Sequence, residues 1–345
     1  MDAMEKAAKY QSIQLLRALA AIMVLIFHSK VAIWPREQRE TLVWIPGFSD
    51  FGDLGVSLFF VISGFIIANV VSKSDFTIRD YIWRRFWRIY PLYWLVTCSG
   101  LFMLWKRNWF RAEFEEIGSW GIIKGFLIVP QKAFPFWNPG WTLEHEVLFY
   151  AIAAVVAPLL GLRFLAGLLF AMAIIGMTFN LPWDFHLFAD PQLYFAAGIL
   201  AYLAVGASWR RAIPLAASLL AYSYACYYGA IPMPVQITEF AFALGAAALI
   251  VALLDIEANG WRVPKVAVAV GDASYSLYLW HWMVIPCVTT IRDHVGGTAE
   301  LWRWIVIISS VSVALLSYRL IEKPLIGFAH RTSIRYSLRE TSRST

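Results

Sequence analysis

Long apolar runs recur along the whole chain, and short polar stretches rich in basic residues separate them. A helix needs about 20 apolar residues to cross a bilayer, and about ten runs approach that length. The predicted spans are 13–33, 54–71, 89–105, 141–160, 164–180, 192–206, 213–229, 237–254, 273–291 and 301–320. The predicted fold class is therefore an all-α, polytopic membrane bundle of about ten transmembrane helices.

Composition and charge add an orientation to this pattern. Hydrophobic residues make up 60% of the 345 positions and charged residues only 15%, which excludes an ordinary water-soluble domain. Basic residues are more frequent in the segments that are cytoplasmic if the N-terminus is inside, so both termini are expected in the cytoplasm. The net charge of +6 follows from this topology, and no nucleic-acid partner is expected. Residues 1–328 are expected to form one transmembrane domain, and residues 329–345 a basic, disordered cytoplasmic tail.

The first span contains two side chains that a lipid environment penalises, Arg17 and His28. Their separation of eleven positions is about three helical turns, so both project from one face, about 16 Å apart along the helix axis. The sequence therefore predicts that this face lines a polar path through the bundle.

A basic cluster, Arg84, Arg85 and Arg88, precedes the third span. One explanation is interfacial anchoring of the helix on the cytoplasmic side. The other is a phosphate-binding site, since guanidinium groups bind phosphate in a bidentate manner. The residues alone leave both explanations open.

The fourth span begins with the segment Trp141 to Tyr150, which contains three ionisable residues. Glu144 and His145 are expected at the wet interface, whereas Glu146 lies farther into the apolar helix and should face protein or water. This carboxylate could orient an imidazole, accept a hydrogen bond from a sugar hydroxyl or pair with a basic side chain, and a purely structural role also stays open.

The ninth span carries a polar stripe of Ser274, Tyr278 and His281 at positions i, i+4 and i+7. Hydrogen-bonded helix packing and a substrate channel both explain such a stripe. At the end of the last span, an i, i+3 ion pair is expected between Arg319 and Glu322.

Taken together, these segments resemble the bacterial acyltransferase-3 family. The resemblance extends from about residue 13 to residue 324. It rests on Arg17 and His28 with ten residues between them, GVSLFFVISGF at 55–65, RFWRIYP at 85–91, WTLEHE at 141–146 with FY at 149–150, SYSLYLWH at 274–281, and EKP at 322–324. One position departs from the pattern, because Ser57 occupies a site where the family commonly has Asp.

The resemblance implies an integral membrane enzyme that O-acylates exopolysaccharide, lipopolysaccharide or related surface sugars. It implies an acyl-CoA donor, most often acetyl-CoA, that arrives from the cytoplasm, and no metal. His28 is then expected as the general base for a sugar hydroxyl, because an imidazole can accept a proton near neutral pH. Direct attack and transient acylation of the imidazole both stay open.

The remaining candidate residues divide into three groups under this interpretation. Glu146 and Arg17 join His28 as catalytic candidates. Arg17, Arg84, Arg85 and Arg88 are donor-binding candidates, and Ser274, Tyr278, His281 and Trp141 are substrate or channel candidates.

The expected location is the bacterial cytoplasmic (inner) membrane, as a multi-pass protein. Expected partners are acyl-CoA, a polysaccharide or lipid-linked sugar acceptor, membrane lipids, and polysaccharide assembly proteins or a second copy of the chain. Two other classes remain: a proton-coupled transporter or flippase for a glycan or its precursor, and a catalytically silent sensor or scaffold.

Overall fold

The computed structural model describes residues 10–33, 52, 54–106, 110–131, 134–181 and 186–341. These residues form helices and connecting turns, with no strand among them, which confirms the all-α class. The helices are α1 Gln11–Ile33, α2 Leu54–Val71, α3 Ile78–Lys106, α4 Phe110–Leu127, α5 Gly140–Thr178, α6 Pro191–Leu203, α7 Trp209–Tyr227, α8 Val235–Ala258, α9 Lys265–Asp272, α10 Ser274–Val295, α11 Ala299–Ser317 and α12 Lys323–Thr341. A 3-10 turn, His186–Phe188, precedes α6, and a π-helical turn, Tyr318–Glu322, joins α11 to α12.

Every predicted span overlaps one of these helices. Among the described residues, five helical segments are long and apolar enough to cross a membrane: Gln11–Lys30, Leu54–Val71, Gly140–Thr178, Val235–Ala258 and Ala299–Ser333. Large hydrophobic side chains cover much of the outer surface, as a protein surrounded by lipid requires; Leu159, for example, is 75% exposed. The count of ten spans and the orientation of the termini stay predictions.

The two spans predicted at 141–160 and 164–180 belong to one continuous helical segment, α5, with a break inside it. Gly161 adopts φ 84° and ψ 165°, a conformation outside the helical region that glycine reaches without a Cβ clash. Pro158 precedes the break and cannot donate a helical hydrogen bond. The chain direction therefore changes between the two predicted spans, where the sequence places a boundary.

The centre of the bundle contains α1, α2, α6 and α10, and glycines allow the closest contacts there. A Cβ at Gly64 on α2 would collide with the carbonyl oxygen of Phe195 on α6, and a Cβ at Gly198 would collide with the carbonyl of Val61. Small residues let the two backbones touch, which is a common way to join helices in membranes. This contact fixes α2 beside α6, while α1 packs against α2, α9 and α10.

The end of the chain differs from the sequence expectation in two ways. Residues 329–341, expected as a disordered tail, are helical within α12, because its first turns pack on α3. Trp83 on α3 donates to the hydroxyl of Thr332 at 2.9 Å, and Arg84 donates to Ser333 at 3.2 Å.

The predicted ion pair between Arg319 and Glu322 is also wrong. The π-helical turn directs Glu322 into the bundle, where it is 2% exposed and accepts a 2.7 Å hydrogen bond from Ser276, while Arg319 is exposed. A π turn adds a residue to the helical turn, so the i, i+3 spacing of an ordinary helix does not apply.

Candidate functional site

Two adjoining cavities lie inside the bundle. The larger has a volume of about 630 Å³ and is lined by the first residues of α1, the end of α2, the start of α3 and residues of α12. The smaller has a volume of about 80 Å³ and is lined by α1, α2, α3, α5 and α10. Arg17, Arg85 and Arg88 line both cavities. The two spaces therefore meet at three guanidinium groups.

Arg17 is held in place by its own helix. Its side chain is 8% exposed, and Nη1 donates to Oε1 of Gln14, one turn earlier, at 3.2 Å. A guanidinium has five N–H donors, and this hydrogen bond uses one of them. Arg17 is thus oriented while it keeps donors for a ligand in either cavity.

The three arginines of the α3 cluster differ in their contacts. Arg84 donates to Ser333 on α12 and lines only the larger cavity. The guanidinium carbon of Arg85 lies 5.0 Å from the ring centroid of Tyr150, a cation–π distance. Arg88 lines both cavities, and within the described residues no carboxylate lies at ion-pair distance from it. Arg85 and Arg88 consequently remain available to an anion.

Acidic side chains also reach the larger cavity, namely Asp75, Asp80, Asp272 and Glu322. Lys73 and His330 lie on the same lining. The cavity is therefore polar on several sides, and its basic groups are concentrated where it meets the smaller cavity.

Glu146 lines the smaller cavity and ends a short hydrogen-bond chain. The hydroxyl of Tyr150 donates to Oε2 of Glu146 at 2.9 Å, so Ser63 on α2 must donate to the Tyr150 oxygen across the 3.2 Å that separates them. The prediction that Glu146 faces protein or water inside the bundle is confirmed. No hydrogen bond within the described residues joins it to His28.

His28 instead contacts a second histidine. Nδ1 of His28 lies 3.1 Å from Nε2 of His281, and the two ring centroids are 5.0 Å apart. The ring of Trp282 meets His28 edge-on at 5.0 Å. His281 is 1% exposed, so this histidine pair joins α1 to α10 inside the bundle.

The polar stripe on α10 faces inward as predicted, but its members have different neighbours. Ser274 and Tyr278 line the smaller cavity, whereas His281 contacts His28. The Tyr278 hydroxyl lies 2.9 Å from that of Thr142 on α5, and its ring centroid is 5.9 Å from that of His281. Tyr278 is therefore the residue that touches both the smaller cavity and the histidine pair.

Glu144 and His145 contradict the expectation of a wet interface, since each is 1% exposed. Oε1 of Glu144 accepts from Gln131 at 3.0 Å, and Oε2 lies 2.8 Å from Nε2 of His186. The His145 ring stacks on His186 with centroids 4.2 Å apart. A carboxylate at this position is tolerated because the protein supplies both hydrogen bonds.

Trp141 belongs to this region as well. Its ring contacts Phe60 and His145 at centroid distances of 6.4 and 6.0 Å, and it does not line either of the two cavities. It packs beside the buried polar cluster formed by Gln131, Glu144, His145 and His186, which is called the glutamate–histidine cluster below.

Sequence reasoning gave no role to Ser63 or His186. Ser63 stands next to Gly64 in a largely apolar helix, a combination that indicates a helix interface in membranes. His186 lies in a short connection, where no helical periodicity could relate it to Glu144.

Comparison with known proteins identifies relatives over most of the chain. A family model described as "Acyltransferase domain" matches residues 10–322. The exopolysaccharide production protein ExoZ of Rhizobium meliloti (strain 1021) is 30% identical in an alignment of 303 residues that covers 82% of this chain and 92% of ExoZ. The putative membrane-bound transacylase BcsY of Komagataeibacter xylinus is 26% identical over 92% of this chain and 83% of its own length.

A third relative is longer than this chain. The O-acetyltransferase OatA of Staphylococcus aureus (strain NCTC 8325 / PS 47) is 24% identical over 90% of this chain, but over only 56% of OatA. No solved structure matches.

Proposed function

The chain belongs to the acyltransferase-3 family of membrane acyltransferases, and we propose that it transfers an acyl group from acyl-CoA to a hydroxyl of a polysaccharide or lipid-linked sugar. The observation that carries this proposal is the position of Arg17, Arg85 and Arg88 where the two cavities meet. The family match favours an enzyme over the carrier and the scaffold that the buried charges alone left open.

The larger cavity suits the nucleotide end of the donor. Its volume of about 630 Å³ falls in the range of small-molecule sites. Arg85 and Arg88 offer charge-assisted hydrogen bonds to phosphate, and Arg84 adds positive charge on the same lining. The helix ends around it are the ones that the distribution of basic residues assigns to the cytoplasm, where acyl-CoA is present.

The acyl end of the donor extends from this cavity toward the histidine pair. Arg17 lies at the meeting of the two cavities, and His28 lies about 16 Å farther along α1. In acyl-CoA, the pantetheine arm separates the phosphates from the thioester. Arg17 and His28 are separated along α1 in the same way, with the anion-binding residue nearer the cytoplasm and the base deeper in the membrane. Tyr278 lines the smaller cavity and contacts His281, so in this proposal its side chain lies between that cavity and the histidine pair.

His28 acts as the general base in this proposal. As the sugar oxygen attacks the thioester carbonyl carbon, the hydroxyl proton passes to His28, the C–S bond breaks, and the proton then passes to the departing CoA sulfur. Glu146 lies on the donor side with Tyr150 and balances the charge of the arginines. An acyl-imidazole intermediate on His28 would leave a trapped acyl group when the acceptor is withheld.

The acceptor and the acyl group are inferred from the relatives. ExoZ is named for exopolysaccharide production and OatA for O-acetyl transfer. We therefore expect an exopolysaccharide or its lipid-linked precursor as acceptor, acetyl-CoA as donor, and a multi-pass protein of the bacterial inner membrane. Lipids and, through the product, polysaccharide assembly proteins are the further expected partners.

The test is turnover by the purified protein in nanodiscs, measured as release of free CoA thiol. Acetyl-CoA and succinyl-CoA are compared as donors, and the acceptor is the host polysaccharide stripped of ester-linked groups by mild alkali. We expect His28→Ala to lower turnover by about 100-fold or more, the usual loss for a missing general base.

The matched control is His294→Ala, which removes an exposed histidine from α10. This variant should retain wild-type turnover. Equal thiol release by wild type and His28→Ala, with transfer to the glycan, would contradict the proposed role of His28.

A further inference from the structure

The histidine pair fixes where protons lie, because each ring has a defined hydrogen-bond partner. Nδ1 of His281 lies 3.1 Å from the carbonyl oxygen of Leu277, one turn earlier on α10. A carbonyl oxygen can only accept, so Nδ1 of His281 carries a hydrogen. A neutral imidazole has a single N–H, and Nε2 of His281 is therefore an acceptor.

This acceptor faces His28 and determines its tautomer. Nε2 of His281 is 3.1 Å from Nδ1 of His28, so the hydrogen between the two rings belongs to Nδ1 of His28. Nε2 of His28 then keeps its lone pair, and no described residue forms a hydrogen bond with that nitrogen. The backbone of Val24, one turn earlier on α1, is a further hydrogen-bond acceptor beside the His28 ring.

We propose that His281 is a positioning residue that holds His28 in the Nδ1–H tautomer, with Nε2 directed to the acceptor hydroxyl. This inference rests on the proposed function, in which His28 is the base. During attack, the hydroxyl O–H bond breaks and an N–H bond forms at Nε2 of His28, while Nδ1–H stays bonded to His281. The chain from His28 through His281 to the Leu277 carbonyl thus orients the base without accepting a proton itself.

The surroundings of the pair support an oriented ring over a freely rotating one. The rings of Trp282 and Phe27 both pack edge-to-face with His28, at centroid distances of 5.0 and 5.3 Å. His281 is almost fully buried, so water cannot replace its Nε2 as the hydrogen-bond acceptor for His28. A change at His281 should therefore alter the proton position on His28 and leave the distant arginines in place.

The direct test is the ring nitrogen spectrum of His28 in protein labelled with 15N-histidine, in nanodiscs at a pH where the ring is neutral. The His28 signals are identified by their loss in His28→Gln. We expect a protonated Nδ1 and an unprotonated Nε2 in the wild type. A wild-type His28 protonated at Nε2 would overturn the proposal, whatever the activity of the protein.

Two substitutions then separate positioning from packing. His281→Phe keeps a ring but removes the acceptor, and we expect the Nε2–H tautomer to appear on His28. The kcat should fall about 10- to 100-fold, the usual effect of losing such an orienting partner, with the KM for acyl-CoA within about twofold of wild type. His281→Gln places an amide oxygen near the former Nε2 and should recover most of the kcat and the original tautomer.

The matched control is His294→Phe on the same helix. His294 also places Nδ1 near the carbonyl one turn earlier, Thr290 at 2.7 Å, but it is exposed and has no ring partner of this kind in the described residues. It should change neither kcat nor the His28 signals. An unchanged His28 tautomer in His281→Phe would show that His28 does not need His281 to hold its proton at Nδ1, and it would overturn the role of His281.

The nitrogen spectrum and the turnover measurement together also distinguish this inference from the proposed function. If the tautomer follows His281 as expected but no acyl-CoA is consumed by any variant, the proposed reaction fails while the pairing stands. If His28→Ala abolishes turnover but the wild-type tautomer is Nε2–H, the reaction stands and the role of His281 fails.

Discussion

Glu144 and Glu146 lie two residues apart on α5 and occupy opposite environments. Glu144 is 1% exposed, and both of its oxygens have protein partners in the glutamate–histidine cluster. Glu146 lines a cavity that also contains Arg17, Arg85 and Arg88, and within the described residues its hydrogen-bond partner is the Tyr150 hydroxyl.

The difference shows how to separate two uses of buried polar groups in a membrane bundle. A group whose hydrogen bonds are all made by the protein stabilises the fold and has no capacity left for a ligand. A group that lines a cavity beside other charges keeps that capacity. By this criterion, Glu144 has a structural role, and the arginine-lined meeting point of the two cavities is the proposed binding site.

The largest expected effect comes from replacing Glu144 and Glu146 by alanine in two separate variants. Glu144→Ala leaves Gln131 and His186 without their common carboxylate partner, and we expect the free energy of unfolding to fall by about 3 kcal/mol. Glu146→Ala should cost about 1 kcal/mol, because Tyr150 retains Ser63 and the cavity beside it admits water. Denaturant unfolding of both variants in the same detergent measures the difference. Equal losses would remove the distinction between the two regions.

The next effect concerns the cavity that is proposed to bind the donor. Arg88→Ala should raise the KM for acyl-CoA about 10- to 100-fold, since a charge-assisted hydrogen bond to phosphate contributes about 1.5–3 kcal/mol. The control is Arg163→Ala, which removes the same charge from an exposed position on α5. A KM that rises equally in both variants would indicate a general loss of positive charge and would contradict a phosphate site at Arg88.

Much of this arrangement could be predicted from the sequence, and the reason is the helical period. Arg17 and His28 on one face of α1, and Ser274, Tyr278 and His281 on one face of α10, follow from 3.6 residues per turn within a single helix. The spans follow from the length of apolar runs, and α2 has the predicted bounds of residues 54–71.

Contacts between helices could not be predicted in this way. The partner of His28 is His281, 253 positions away, and the partner of Glu144 is His186, which lies in a short turn between α5 and α6. The π-helical turn that directs Glu322 inward has no periodic signal either. Periodicity gives the face of each helix, whereas the neighbour of that face depends on the packing of the whole bundle.

The smallest expected effect tests the hydrogen-bond chain that links Glu146 on α5, through Tyr150, to Ser63 on α2. Tyr150→Phe removes the hydroxyl between Ser63 and Glu146 but keeps the ring on which the Arg85 guanidinium packs. We expect kcat/KM for acyl-CoA to fall about fivefold, because one hydrogen bond contributes about 1 kcal/mol to holding the Glu146 carboxylate in place. Tyr228→Phe, a change at an exposed tyrosine of the α7 end, is the control and should have no effect. The opposite result would be a Tyr150→Phe variant that loses several kcal/mol in its free energy of unfolding and keeps its kcat/KM. In that case the hydrogen bonds through Tyr150 to Glu146 would be structural, and only the arginines would remain in the proposed binding site.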